Sequence, residues 1–150
     1  MKIIFTEQNK KIAFSIDGYE YDYSDEEIHD ESCWYDANWL TVRIEYWENG
    51  KKKSFTDNCL LADELCSLAE DIDAIIIGKE TGLNTDFLEP YLQLSLTAFN
   101  GRYTVQISFK PHKTKKIYVV QEMSIDELKK MNDTLKMISA QFPEKAIHKS

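Results

Sequence analysis

Between Glu20 and Asp36 the chain places eight carboxylates, Glu20, Asp22, Asp25, Glu26, Glu27, Asp30, Glu31 and Asp36, and no lysine or arginine. Side chains of this kind can move protons, ligate a hard cation, or hold a basic partner by charge. His29 and Cys33 lie in the same stretch, and Trp34, Tyr35 and Trp39 follow. Taking these eight from the 26 acidic residues leaves 18, equal to the 18 lysines and arginines, so this stretch carries the whole formal charge of −8.

Catalysis by these residues is not expected. A reactive thiolate wants positive surroundings, whereas Cys33 lies among carboxylates, and the stretch lacks the helical periodicity that would align His29 with it. Gly-x-Ser-x-Gly is absent, and so are the glycine-rich phosphate loops. Carboxylate pairs for glycoside chemistry can be drawn from the eight acids at will, which empties that signal. His148 is expected in a frayed C-terminus. The sequence therefore gives no catalytic residue.

Metal chemistry fares no better. Glu26-x-x-His29 has the spacing of a di-iron ligand pair, but such a site takes two of these motifs and two further glutamates. The calcium-loop pattern of alternating Asp/Asn, a glycine and a closing glutamate fits nowhere in Asp17–Asp36. Neither a metal site nor a cofactor is expected, with adventitious calcium on a carboxylate-rich loop left open.

The elements that must position these groups form one domain, residues 1–150, long enough to bury about two-thirds of its unfolded surface. Hydrophobic residues make up 43% and aromatics 12%, too many for a disordered acidic chain. No apolar run reaches the ~18–20 residues of a membrane span. "MKIIFTEQNKK" reads as a strand rather than a signal peptide. The cysteines, Cys33, Cys59 and Cys66, are odd in number and form no Cys-x-x-Cys, so they read as free thiols in a reducing cytoplasm. The net charge speaks against direct contact with nucleic acid, and the basic cluster Lys110–Lys116 reads as a solvated turn between strands.

Alternation and turn residues give hairpins. "KIIFT" and "KIAFSI" pair across "EQNK"; "WLTVRIEYW" and "KSFT" flank Asn49-Gly50; "FLEPYLQLSLTAF" and "RYTVQISFK" flank Asn100-Gly101; "KIYVVQEM" adds a strand. "KETGLNTD" reads as a loop, and Pro90 belongs at the start or edge of its strand. Leu61, Leu65, Leu68, Ile72 and Ile76 line one face of a helix that Gly78 closes. Ser124 and Glu127 form a capping box before a second stripe, Ile125 to Phe142. The expected fold is α+β: an antiparallel sheet of about five to seven strands, built from hairpins and packed by two helices near Leu61–Ile77 and Ile125–Phe142.

Three blocks within this frame carry a resemblance. "DANWLTV" (Asp36–Val42), Asp57-x-Cys59-Leu60 and "FLEPYLQLSL" (Phe87–Leu96, with Glu89 and Pro90) resemble, in this order, the signature of the WapI-like immunity proteins. "SIDELKKMNDTLKMISAQFP" is similar to that family's last helix, and "LLADEL" stands where its pattern has Thr near a helix cap. The resemblance implies a non-enzymatic cytoplasmic protein that binds and blocks a cognate toxin domain, often a nuclease.

Within that implication the residues divide by environment. Trp39 opens an alternating strand and is expected in the core. Asp36, Asn38 and Glu89 are expected to bond backbone rather than touch a ligand. Asp25, Glu26, Glu27, Asp30 and Glu31, with Trp34 and Tyr35 as aromatic anchors, are expected to form an exposed surface for a basic toxin domain, standing in for phosphate. Two other readings stay open: a small enzyme whose site the sequence does not display, and an acidic calcium-tuned binding module.

Overall fold

The computed structural model describes residues 1–147, and of Asp25 the backbone alone; His148 lies outside the described residues. The chain twice runs through four strands that end in a long helix, and the first run is interrupted by a short helix between its second and third strands. β1 (Ile3–Glu7) and β2 (Lys10–Tyr19) lead to a 3-10 turn (Asp25–Glu27) and a short helix, α1 (Glu31–Asn38). β3 (Trp39–Glu48), β4 (Lys51–Leu61) and α2 (Ala62–Ile76) complete the first half. The second comprises β5 (Gly82–Asn84), β6 (Leu92–Phe99), β7 (Arg102–Phe109), β8 (Ile117–Met123) and α3 (Ile125–Gln141).

Each half forms a four-stranded antiparallel sheet with its strands in chain order. The α+β class and the hairpin construction are as expected. The count differs: the described residues form eight strands in two sheets and three helices, rather than five to seven strands in one sheet with two helices. The sheets meet where β1 lies beside β8, but side chains make this seam. The Thr6 N–H donates to Gln121 Oε1 at 3.0 Å and the Val120 N–H to Glu7 Oε1 at 3.0 Å.

Turn chemistry sets the hairpins. Asn49 and Gly50 have φ of 53° and 77°, and Asn100 and Gly101 have 49° and 74°. Two successive positive φ values match the twist of the flanking strands, and Asn-Gly adopts them at small cost. Sheet one is irregular at the end nearest α1. Its register slips between Ile16 and Gly18 on β2 and between Leu40 and Val42 on β3, and such bulges bend a sheet locally.

α2 starts one residue after and ends one residue short of the expected Leu61–Ile77, and α3 starts at Ile125 as expected and ends one residue short of Phe142. The Ser124 hydroxyl accepts the Glu127 N–H at 3.2 Å and the Glu127 carboxylate accepts the Ser124 N–H at 3.1 Å, which completes the capping box of α3. At α2 Leu61 has no side chain able to cap. Glu64 accepts the Leu61 N–H at 3.0 Å and the Leu88 N–H at 2.8 Å, fixing the helix start and the approach to β6 together. Leu65, Ile72, Leu128 and Leu135 are buried in one core with Ile12, Ile44, Leu96 and Val105 from the two sheets.

Candidate functional site

The acidic segment is an excursion between two neighbouring strands. β2 ends at Tyr19, β3 begins at Trp39, and the Glu20 N–H donates to the Trp39 carbonyl at 2.8 Å, closing the stem. Within it Ile28 is fully buried. The Glu27 carboxylate accepts from the Ser24 hydroxyl at 2.8 Å and the Ser24 N–H at 3.2 Å, closing the 3-10 turn. Asp30 caps α1, accepting the Cys33 N–H at 2.9 Å.

These bonds hold both carboxyls below the usual range. The Ser24 hydroxyl and then its amide do so for Glu27, and the Cys33 amide does so for Asp30. Glu27 and Asp30 therefore shape the segment. Glu26 and Glu31 are exposed and take no such role. Among the described residues, no carboxylate from Glu20 to Asp36 is in an ion pair.

The expected absence of helix here is corrected. α1 makes two turns, and its start was readable: Asp30 followed by Glu31 is an N-cap with an acid in the first turn. Trp34 and Tyr35 are half-buried and pack edge-to-face, ring centroids 4.9 Å apart. Asp36 is exposed, and Trp39 is half-buried rather than fully in the core.

Asn38 is fully buried and bonds backbone, as expected, but across a distance the sequence does not show. Its amide nitrogen donates to Trp34 O at 2.8 Å and to Lys145 O at 2.9 Å, and its oxygen accepts the Lys145 N–H at 2.7 Å. The Lys145 ammonium donates to Tyr23 O at 2.7 Å and lies 4.1 Å above the Tyr19 ring. Sequence reasoning missed Tyr19 and Lys145 altogether.

Other chemistry-bearing groups lie elsewhere. His29 is exposed ahead of the α1 cap, and no hydrogen bond joins it to Cys33. His112 Nε2 sits 3.5 Å from Asp57 Oδ2 and its ring is 5.1 Å from that of Tyr91. Cys59 is fully buried, and burial pushes its thiol up to about 12, so it stays protonated. Glu89 accepts no hydrogen bond among the described residues; Glu64, not Glu89, ties down the neighbouring Leu88. A groove of about 550 Å³ between α2 and α3 is lined by Cys66, Glu70, Asp73 and Lys136 and, among the described residues, by no histidine. Among the described residues no group of three His, Cys, Asp or Glu side chains could hold a metal ion. None of their helices is long and apolar enough to cross a membrane.

Two antiparallel four-stranded sheets, each followed by a helix, define a frame seen in solved structures. One is the plant transcriptional regulator PBF-2, with a TM-score of 0.50 and 9% identity over 95% of this chain and 81% of that one. The chain is also similar to WHY3 from Arabidopsis thaliana, with a TM-score of 0.48 and 8% identity over 95% of this chain and 88% of that one. At 9% identity the likeness to PBF-2 is one of fold alone. No curated protein matches the chain. By sequence the chain belongs to the immunity protein WapI-like family, whose family model matches residues 3–143. That membership supports an immunity-protein role with a protein partner.

Proposed function

We propose that this chain is a cytoplasmic, non-enzymatic inhibitor that binds a basic toxin domain, a nuclease being the natural fit, through the segment from Glu20 to Asp36. The observation that carries the reading is the unpaired charge. Glu26 and Glu31 are exposed, and no carboxylate of the segment has an intramolecular cation as its ion-pair partner among the described residues. Charge of one sign at this density repels itself, and a basic surface relieves that repulsion on docking. A nuclease presents such a surface because it binds phosphate. Trp34 and Tyr35 stand beside these carboxylates as rigid, half-exposed aromatic groups of the kind that anchor interfaces. The partner is protein, with no direct contact to nucleic acid, no membrane and no cofactor.

The test is complex formation with the toxin domain encoded beside the gene. The parent chain is expected to co-elute with that domain and to stop its activity. A chain carrying Glu26→Gln, Glu31→Gln and Trp34→Ala is expected to do neither at physiological salt. Equal inhibition by both chains would refute the reading.

A further inference from the structure

We propose that the C-terminal tail is a latch, made by the Asn38 side chain and the Lys145 backbone, that positions α1 and with it Trp34 and Tyr35. The functional consequence rests on the interface reading given above; the latch does not. A buried side-chain amide has two donors and an acceptor to satisfy. Asn38 satisfies them with Trp34 O inside α1 and with the N–H and C=O of Lys145, a residue 107 positions away in the chain. Taking hold of both polar groups of one residue fixes that residue's place and direction, as a neighbouring strand would.

α1 has little else to hold it. It is eight residues long, well under the ~12 at which an isolated helix persists in water, and its buried residues are Ala37 and Asn38. Without residue 145, Asn38 would keep one bond of three, and a buried amide left unpaired drives the helix toward positions where water reaches it.

The tail is itself held firmly. The Tyr19 hydroxyl donates to Pro143 O at 2.6 Å, the Tyr19 and Phe142 rings meet edge-on at 5.7 Å, and the Lys145 ammonium reaches Tyr23 O. None of these contacts involves the carboxylates of Glu26 or Glu31. The tail shapes the acidic surface without occupying it, so Asn38 and Lys145 are positioning residues.

Residue-resolved hydrogen exchange on three variants tests the latch. One chain ends after Pro143, one carries Asn38→Ala, and one carries Lys145→Met, which keeps the backbone bonds. In the first two, amides of residues 33–38 are expected to exchange at least about tenfold faster while those of β6, β7 and α3 keep parent rates. Lys145→Met is expected to stay near the parent. Parent rates at residues 33–38 in the shortened chain would overturn the latch. If Asn38→Ala loosens the core as well, the shortened chain decides, because Phe142 and all of α3 remain. The consequence for binding is read separately, as dissociation of the neighbouring toxin domain. Faster dissociation from the shortened chain supports both ideas. A loosened α1 with parent dissociation upholds the latch and overturns the interface reading.

Discussion

The Asp30 carboxylate accepts the Cys33 N–H at 2.9 Å, so one member of the acidic segment is also the cap of the helix that carries Trp34 and Tyr35. Asp and Asn cap helices about equally well, and Ala does not. Asp30→Asn is therefore expected to remove a charge and leave α1 intact, while Asp30→Ala frays it. Amide exchange at Cys33 and Trp34 reads the difference; equal rates in the two variants would contradict the cap.

Glu45, on the outward face of β3, bonds Lys2 and lies 2.7 Å from Lys52, with its side chain 8% exposed. These two cations hold its carboxyl down to about 2, from an ordinary 4.5. The folded value is the lower one, so the stabilisation is complete above the ordinary value and is lost as pH falls toward 2. The urea midpoint of the parent should drop more steeply below pH ~4.5 than that of Glu45→Gln. Parallel curves would show that the pair contributes nothing.

α2 and α3 are stitched by Asn132, which donates to Ala69 O at 3.1 Å and to Asp73 Oδ1 at 2.9 Å while 1% exposed. Asn132→Ala is expected to lower stability by about 1–3 kcal/mol. Leu65→Ala, which opens a cavity in the core, should lower it by about 2–5 kcal/mol. Denaturant unfolding measures both, and a neutral Leu65→Ala would contradict the packing described.

The three thiols should separate by reactivity. Cys66 is exposed, Cys33 half-buried and Cys59 buried with its thiol near 12. A thiol reagent is expected to label Cys66 first and Cys59 only on unfolding. Early labelling of Cys59 would mean that β4 opens locally.

Much of this fold is written locally in the sequence. Asn49-Gly50, Asn100-Gly101 and the Ser124–Glu127 box each act within four residues, so the strands and helices they bound are readable. What escapes depends on distance or brevity. β5 is three residues with no room for alternation. α1 buries two residues and has no apolar stripe, leaving its Asp30 cap as the sole local sign. The division into two sheets rests on a seam of side chains between β1 and β8, and no pattern in either strand announces it. The acidic segment itself was legible as composition. The task of Glu27 and the hold of Lys145 on Asn38 were not, because each is a matter of which atoms meet.

The central claim is that exposed charge in the acidic segment draws in a basic toxin domain and that Trp34 keeps it there. The most direct measurement is the association and dissociation rate of that domain at two ionic strengths. The variants are Trp34→Ala and a neutralised chain with Asp25→Asn, Glu26→Gln and Glu31→Gln, which spares the structural carboxylates Glu27 and Asp30. Charges at an interface mainly accelerate encounter, and salt screens them over a Debye length of ~8 Å. The neutralised chain should associate more slowly at low salt and lose most of its salt dependence, with its fold unchanged. Trp34→Ala should instead raise the off-rate roughly 30-fold, the equivalent of about 2 kcal/mol for a central anchor. A neutralised chain that associates at the parent rate at low salt, and protects cells equally, would contradict the account.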